Sequence, residues 1–274
     1  MVNLKGRPCA DLFVFELARN GRAHSGAAMD KVDIELVRAL EQRCFNGWPT
    51  LRTVLADGWV LRLADGHTRR ANSASALYPS AMSAVELSEF VKAQFKAANL
   101  PPVIRLTPLA PHRLAQELAA LGWSEDDPSL GLYAPKIIGA ADLGLSTEPR
   151  ASDEWIAAAM HSYGYGDAGA KALRRMLDNL AVPAAFATIY DAGKPVGWGL
   201  AVAERGMVGL YDLVIAPEKR GAGLGRKLVA GLLHWGKVQG ATSAYLQVRV
   251  GNAPARRLYE SLGFTIAYLY THWI

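Results

Sequence analysis

The sequence contains 274 residues, of which 51% are hydrophobic and 20% charged, and its formal net charge is +5. This composition is ordinary for a folded globular chain, and no apolar run reaches the roughly 18 residues that a membrane span needs. The weak positive charge suits a small anionic ligand but is too scattered to indicate nucleic-acid binding. The two cysteines, Cys9 and Cys44, belong to no metal-binding motif, so we expect a reducing cytoplasm and no metal site.

The N-terminal segment 1–28 carries no regular pattern. Its short apolar run is interrupted by Asp11 and Glu16, whereas the apolar region of a secretory signal is uncharged. We therefore predict that residues 1–28 form a weakly ordered extension.

Residues 29–138 alternate between helical and strand patterns, as expected of an α/β domain. Helices are predicted at 32–48, 83–100 and 112–122. Strands are predicted as a hairpin over 58–73 and as single segments at 102–106 and 130–135. In the second helix, the apolar spacing places four side chains on the buried face: Val85, Phe90, Val91 and Phe95.

The second half of the chain repeats this plan. A segment of small and turn-forming residues, 139–152, is the predicted linker, and a second unit spans 146–274 with Ser152 as a helix N-cap. A helix, a hairpin, a strand, a helix, a strand, a helix and a strand are predicted in turn at 152–163, 184–204, 207–217, 224–240, 243–250, 253–263 and 264–270. Leu121-Gly122-Trp123 also recurs as Leu262-Gly263-Phe264, and we predict an internal duplication.

A glycine-rich turn, PEKRGAGLGRKL (217–228), joins a predicted strand to the helix after it. Gly221, Gly223 and Gly225 leave backbone N–H groups open at a helix N-terminus, where the helix dipole favours an anion. Arg220 and Arg226 flank the turn and can neutralise a diphosphate. The turn lacks the ending of a Walker A loop, and Arg226 stands where a dinucleotide-binding loop has a glycine. It predicts a diphosphate site of another class.

Two motifs in this half resemble those of a known family. Arg220-Gly221-Ala222-Gly223-Leu224-Gly225 resembles the acetyl-CoA signature of the GCN5-related N-acetyltransferases, Gln/Arg-x-x-Gly-x-Gly/Ala. The later family pattern, a strand, an asparagine and a helix with a tyrosine before Leu-Gly-Phe, is similar to LQVRVGNAPARRLYESLGF (246–264). The resemblance covers residues 146–274 and implies the α/β fold of that family, a mixed sheet flanked by helices, here in two tandem halves.

The resemblance also implies roles for individual residues. Acetyl-CoA would be the cosubstrate, with its diphosphate held by Arg220, Gly221, Ala222, Gly223, Leu224, Gly225 and Arg226. Its pantetheine arm would follow Leu213, Val214 and Ile215, and its thioester would enter a gap between this strand and the strand at 243–250, close to Asn252. Tyr259 would protonate the leaving thiolate, a role compatible with its place on the apolar face of its helix.

The group that takes the proton from the amine is left open. Gln247 stands where some family members carry a glutamate, and it can orient a water but cannot accept a proton. Asp212 and Tyr211 are the nearest alternatives. A carboxylate within an apolar strand is costly, so Asp212 has either a catalytic role or a hydrogen-bonded structural one. His161 and Tyr163 are candidates for an acceptor lid, although a solvated histidine in a loop is ordinary.

The first half departs from the family pattern. The segment that corresponds to the glycine turn, ANSASALYPSAMS (71–83), contains no glycine. When the two halves are aligned on Leu121-Gly122-Trp123 and Leu262-Gly263-Phe264, Leu118 stands at the position of Tyr259. We therefore expect 29–138 to be a degenerate unit without a cofactor site. Arg69 and Arg70 either contact the substrate or the other half, or they belong to a solvated strand end.

The main hypothesis is an acetyl-CoA-dependent N-acetyltransferase in which a primary amine of a small molecule or peptide attacks directly in a ternary complex. Neither cysteine lies near the motifs, so no acetyl-enzyme is expected. A cytoplasmic monomer or homodimer without nucleic-acid or membrane partners is predicted. Two alternatives stay open: a non-catalytic acyl-CoA sensor or regulatory module, and a tandem synthase that acetylates an amino-sugar thiol.

Overall fold

The computed structural model describes residues 32–163 and 167–274 of the chain, so the predicted extension 1–28 lies outside it. The helices are α1 (Ile34–Gly47), α2 (Ala84–Ala97), α3 (Leu114–Ala120), α4 (Asp153–Tyr163), α5 (Asp167–Asp178), α6 (Leu224–Val238) and α7 (Ala253–Glu260). The strands are β1 (Arg52–Ala56), β2 (Trp59–Leu63), β3 (Ser73–Ala76), β4 (Ile104–Leu106), β5 (Glu125–Ala134), β6 (Ser146–Glu148), β7 (Ala184–Asp191), β8 (Lys194–Glu204), β9 (Met207–Ile215), β10 (Ser243–Arg249) and β11 (Thr265–Trp273).

Local chemistry explains where several helices begin. The Ser152 hydroxyl accepts a hydrogen bond from the N–H of Trp155 at 3.1 Å, so the predicted N-cap of α4 is confirmed. Ser83 and Glu86 form a reciprocal capping box at the start of α2. Three elements were not predicted from the sequence: β1, the helix α5, and the short strand β6 within the expected linker 139–152.

The buried face of α2 differs from the prediction at one position. Val91 and Phe95 are fully buried and Phe90 is half-buried, but Val85 is 50% exposed. Leu87 takes its place, because residues 87, 91 and 95 are spaced by four and form one stripe along the helix. The inward assignment of Val85 was therefore wrong.

The eleven strands described form one mixed sheet in the order β1-β2-β3-β4-β11-β5-β10-β9-β8-β7-β6. Strand β11, from the end of the chain, lies between β4 and β5 and is antiparallel to both. Strand β5, from the first half, is in turn antiparallel to β10. The last strand of each half therefore pairs with strands of the other half.

The strand order is symmetric about the β11–β5 pair. The parallel pair β3–β4 on one side matches the parallel pair β9–β10 on the other, and the antiparallel run β1–β2–β3 matches β7–β8–β9. Helix α2 connects β3 to β4 as α6 connects β9 to β10. The predicted duplication would produce such an order.

One of the hydrophobic cores joins the two halves. It contains Trp48 at the end of α1 together with Tyr211 of β9 and Tyr245 of β10. The rings of Trp48 and Tyr211 stack at 6.1 Å between centroids. A side chain at Gly47 would collide with the Tyr211 ring, so this glycine allows α1 to pack closely on β9. Helix α1 thus covers the strands that line the candidate site.

Candidate active site

The candidate site begins where two parallel strands separate. Strands β9 and β10 pair only from Met207–Ser243 to Leu210–Leu246. Beyond this point the register of β9 against β8 also shifts, between Tyr211 and Val214, and no strand partner is described for Asp212 or Leu213. Asp212 has a φ of +47°, a left-handed conformation that is costly for an aspartate in a strand. The bulge and the divergence together open the gap that the sequence motifs predicted.

A cavity of about 740 Å³ occupies this gap. Both halves of the chain line it. The first half contributes Thr68, Arg69, Arg70, Asp126, Asp127 and Ser129, and the second half contributes residues 210–214 and 246–249 with Asn252, Tyr259, Tyr270 and His272. Of the predicted site residues, the structure brings together at this cavity Tyr211, Asp212, Leu213, Val214, Gln247, Asn252 and Tyr259.

The glycine turn lies at the end of β9, beyond the cavity. Gly221 and Gly223 have φ values of +80° and +79°, and a Cβ at either position would meet no described atom within 4 Å. Glycine is therefore required there by backbone conformation and not by lack of space. Gly223 is the N-cap of α6 and contributes no side-chain hydrogen bond. Within the described residues, no atom accepts a hydrogen bond from the backbone N–H groups of 221–226.

The cationic side chains of the turn are held in place by the chain itself. The Arg220 Nε donates to the Ile215 carbonyl at 3.1 Å, and the Arg226 Nη2 donates to the Ser261 hydroxyl at 2.6 Å. Lys219 forms an ion pair with Asp191 of the β7–β8 hairpin at 2.6 Å. An array of N–H donors between arginines at a helix N-terminus fits the diphosphate of acetyl-CoA.

Tyr259 is buried and lines the cavity. Its ring packs edge-on against Phe264 at 6.0 Å, and only 7% of the residue is exposed, yet it lines the cavity. Burial raises the pKa of its hydroxyl to about 12, so the group is protonated throughout the physiological range. Tyr259 is therefore both a residue of the buried core and a residue of the cavity wall, and the sequence was compatible with both positions.

Asp212 is paired with a residue from the other half. Its side chain is fully buried, and the Arg70 Nη2 lies 3.3 Å from its Oδ1. The Arg70 guanidinium also lies over the Trp48 ring at 5.2 Å. Of the alternatives left open for Arg70, the contact with the other half is therefore the one observed.

Gln247 belongs to a buried network. Its Nε2 donates to the Glu41 Oε1 at 3.3 Å and to the Tyr268 hydroxyl at 3.1 Å, and its Oε1 accepts from the Tyr270 hydroxyl at 3.4 Å. Glu41 is fully buried and forms a two-pronged ion pair with Arg105. Both oxygens of Glu41 bind Arg105, and the same carboxylate contacts Gln247.

The other predicted residues form hydrogen bonds within the fold or lie away from the cavity. The Tyr211 hydroxyl is bonded to the Tyr245 hydroxyl at 2.8 Å and donates to the Arg43 carbonyl at 3.3 Å. Asn252 caps α7 by accepting from the N–H of Ala255 at 3.3 Å. His161 is exposed near the end of α4 and does not line the cavity. The side chain of Tyr163 lies outside the described residues.

Several residues of the site were missed by the sequence reasoning. Asp126, Asp127 and His272 line the cavity, and Glu41 lies behind it. For Glu41 a signal was present, because it lies on the same helical face as the buried residues Val37 and Cys44, four and three positions away. The acidic run at the start of β5 carried no comparable signal.

Among the described residues, no helix is long and apolar enough to cross a membrane. They also contain no group of three or more His, Cys, Asp or Glu side chains arranged to hold a metal ion.

Comparison with known proteins identifies the family. The family model described as "Probable histone acetyltransferase Rv0428c C-terminal" matches residues 35–272. The chain belongs to the GCN5-related N-acetyltransferases. It is similar to the probable histone acetyltransferase Rv0428c of Mycobacterium tuberculosis, with 30% identity over 84% of this chain and 71% of that protein.

Two further similarities agree with this assignment. The uncharacterized N-acetyltransferase YobR of Bacillus subtilis is 25% identical over 84% of this chain and 94% of its own length. The solved structure of a GCN5-related N-acetyltransferase from Kribbella flavida matches with a TM-score of 0.61 and 21% identity, covering 90% of this chain and 96% of that one, and shows the same fold. The chain is an N-acetyltransferase of this family, whose members use acetyl-CoA as a cosubstrate.

Proposed function

We propose that this N-acetyltransferase transfers the acetyl group of acetyl-CoA to a primary amine that binds in the cavity between the two halves, by direct attack in a ternary complex. The observation that carries the proposal is the combination of the open β9–β10 gap and the N–H donors of 221–226 at the end of the same strand. The two features lie at the places where a thioester and a diphosphate of one ligand would be held.

The residues of the chain fit this cosubstrate. Gly221 to Arg226 would bind its diphosphate, and the edge of β9 that no longer pairs with β10, at Leu213 and Val214, would bind its extended arm. When bound, acetyl-CoA supplies an acetyl thioester whose carbonyl carbon accepts the amine nitrogen while its thiolate leaves. Tyr259 donates a proton to the leaving sulfur, because its raised pKa keeps the hydroxyl protonated.

A base must remove the proton that the amine releases. Asp212 lies at the cavity wall, on the bulge of β9 where β9 and β10 separate. Arg70 pairs with this carboxylate and orients it. Gln247, fixed by Glu41 and Tyr268, orients the amine or a water beside it. The proton therefore leaves the amine towards Asp212, while Tyr259 supplies one on the sulfur side.

The described cysteine supports direct transfer. Cys44 is fully buried, and burial raises the pKa of its thiol to about 12. A buried, protonated thiol is a poor nucleophile. Incubation with acetyl-CoA alone should leave the mass of the intact protein unchanged, and an acetylated protein would contradict direct attack.

The first half contributes to the acceptor side of this reaction. Arg69, Arg70, Asp126 and Asp127 all line the cavity, whereas the glycine turn and Tyr259 come from the second half. We infer that 29–138 is a degenerate duplicate that kept a role in acceptor binding, with 146–274 as the catalytic unit.

The experiment measures release of the CoA thiol over a panel of amines, for wild type, Tyr259→Phe and Tyr190→Phe. Tyr259→Phe should lower kcat by about 100-fold or more through loss of the proton donor, with the Kd for acetyl-CoA little changed. Tyr190, an exposed tyrosine of β7, is the matched control and should behave as wild type. Binding of acetyl-CoA without thiol release by any amine would instead indicate an acyl-CoA sensor.

A further inference from the structure

One wall of the cavity carries none of the residues assigned above to the acetyl donor. It consists of the segment around Arg69, the start of β5, the end of β10 and the end of β11. Counted over the whole cavity, the lining carries three arginines and three aspartates, which are Arg69, Arg70, Arg249, Asp126, Asp127 and Asp212. The formal charge of the lining is therefore balanced.

Two of the arginine–aspartate pairs lie at the accessible rim. The Arg69 Nη1 lies 2.6 Å from the Asp126 Oδ2, and the Arg249 Nε lies 2.9 Å from the Asp127 Oδ1. The side chains of Arg69 and Arg249 are 39% and 74% exposed. Exposed pairs of this kind contribute little stability, so a ligand can exchange partners with them at low cost.

His272 lies deeper in the same wall and is only 2% exposed. Neither ring nitrogen forms a hydrogen bond with any described residue. The nearest charged partner is Asp127, whose Oδ2 is 4.0 Å from the His272 Nδ1. A buried polar group without a hydrogen bond is costly, and at the wall of a cavity it indicates a ligand contact.

The imidazole of His272 is uncharged at neutral pH. Burial, together with the surrounding arginines, Arg105 foremost, lowers the pKa of His272 to about 2. At neutral pH the ring therefore offers one N–H donor and one nitrogen acceptor.

The backbone at Asp127 is also unusual. Its φ is +54°, and the pairing of β5 with β11 shifts register between Ser129–Tyr270 and Asp126–His272. This bulge turns Asp127 out of the regular strand. Strained, bulged residues that carry charged side chains at a cavity are typical of binding sites.

We propose that the acceptor of this enzyme is an amine that also carries a carboxylate, a zwitterion of the amino-acid class. Its carboxylate pairs with Arg69 and Arg249 at the rim and accepts a hydrogen bond from the imidazole of His272, while its amino group lies further inward, towards Asp212 and Gln247. A zwitterion adds no net charge and leaves the lining balanced, whereas a polyamine or a basic peptide adds positive charge opposite the arginines. This inference rests on the proposed acetyl transfer.

The test compares acceptors that differ by one group. Thiol release is measured with free amino acids, with the carboxamide of each, with spermidine and with a lysine-containing peptide. The free amino acid should exceed its carboxamide in kcat/KM by about 10-fold or more, and Arg249→Gln should reduce that ratio several-fold with the Kd for acetyl-CoA unchanged. Arg150→Gln, an exposed arginine outside the cavity, is the matched control and should keep the ratio.

His272 is tested with a pair of variants. His272→Phe keeps a ring but removes both nitrogens, and it should raise KM for the amino acid by about 10-fold. His272→Asn keeps a donor and an acceptor close to the backbone, and it should recover most of that loss. If both variants have the same KM as wild type, the imidazole does not contact the acceptor and this assignment is overturned.

A second measurement separates the two proposals. Calorimetry records binding of the amino acid to the protein saturated with CoA. If spermidine, the peptide or the carboxamides match or exceed the amino acids in turnover, the zwitterion inference is wrong while acetyl transfer stands. If the amino acid binds in calorimetry and no acceptor releases thiol, the site stands as a ligand site and the proposed transfer fails. If the amino acid neither binds nor turns over, the inference is overturned.

Discussion

Two strand-to-helix turns occupy matching places in the sheet and have opposite chemistry. The turn at 77–83 leads from β3 to α2, and the turn at 216–223 leads from β9 to α6. In the first, the Asp57 Oδ2 accepts hydrogen bonds from the N–H groups of Ala81 at 2.6 Å and Met82 at 3.0 Å and from the Ser80 hydroxyl at 2.8 Å. In the second, no described atom accepts from the N–H groups of 221–226.

The difference lies in whether a carboxylate of the same half accepts the hydrogen bonds of the turn. Asp57 comes from the β1–β2 hairpin, which corresponds to the β7–β8 hairpin by the symmetry of the sheet. In the second half the hairpin carboxylate, Asp191, binds Lys219 instead and leaves the turn's donors open. In the first half, a carboxylate of the chain itself thus accepts hydrogen bonds from the N–H groups of the turn. In the second half, a diphosphate would accept them.

The largest expected effect comes from making the second turn resemble the first. Ala222 is exposed in the middle of the glycine turn, so Ala222→Asp should leave the stability unchanged. A carboxylate there repels the diphosphate, and we expect the Kd for acetyl-CoA to rise by about 100-fold, measured by calorimetry. Ala222→Asn has nearly the same size without the charge and should raise the Kd far less. Equal effects of the two variants would contradict an anion site at this turn.

A smaller effect is expected from the conformation of the turn. Gly223→Ala places a Cβ on a residue with φ of +79°, at a cost of about 1–2 kcal/mol, and the Kd for acetyl-CoA should rise by about 10-fold. Gly206 has nearly the same φ, +77°, and equally open space, but it lies in the β8–β9 turn. Gly206→Ala should therefore destabilise the protein similarly without changing acetyl-CoA binding. A loss of binding in both variants would assign the effect to general destabilisation.

The smallest effect tests the first turn. Hydrogen bonds from Ser80, Ala81 and Met82 lower the pKa of the Asp57 carboxyl. A lowered folded-state pKa stabilises the fold above the unfolded value of 3.8, and this contribution disappears as the pH falls through the folded value. Asp57→Asn should therefore lower the Tm slightly at pH 7 and not at pH 2. The exposed Asp178→Asn serves as control, and an equal drop at both pH values would contradict a charge effect.

Much of the second half was predictable because its signals are local. The φ values of Gly221 and Gly223, the N-cap at Ser152 and the place of Tyr259 on its helix depend on neighbours within a few residues. The same kind of reasoning failed at Val85, because the buried stripe of α2 runs through Leu87, Val91 and Phe95 and leaves Val85 outside it. Helix α5 and strand β1 were missed although local signals were present: Leu173, Met176 and Leu177 follow a helical spacing, and Asp57-Gly58 is a two-residue hairpin turn between β1 and β2.

The sequence by itself determined the family and was enough to propose the acetyl-CoA turn and the candidate acid, because glycine conformation, helix periodicity and motif spacing act over short stretches of chain. Only the tertiary structure brought the residues of the proposed acceptor side together. Arg70 meets Asp212 across 142 residues of chain, and Gln247 meets Glu41 across 206. These contacts exist because β5 and β11 pair at the centre of one sheet and bring the two halves to a common cavity. Pairing between distant strands leaves no periodic mark in either segment, so it cannot be read from one sequence.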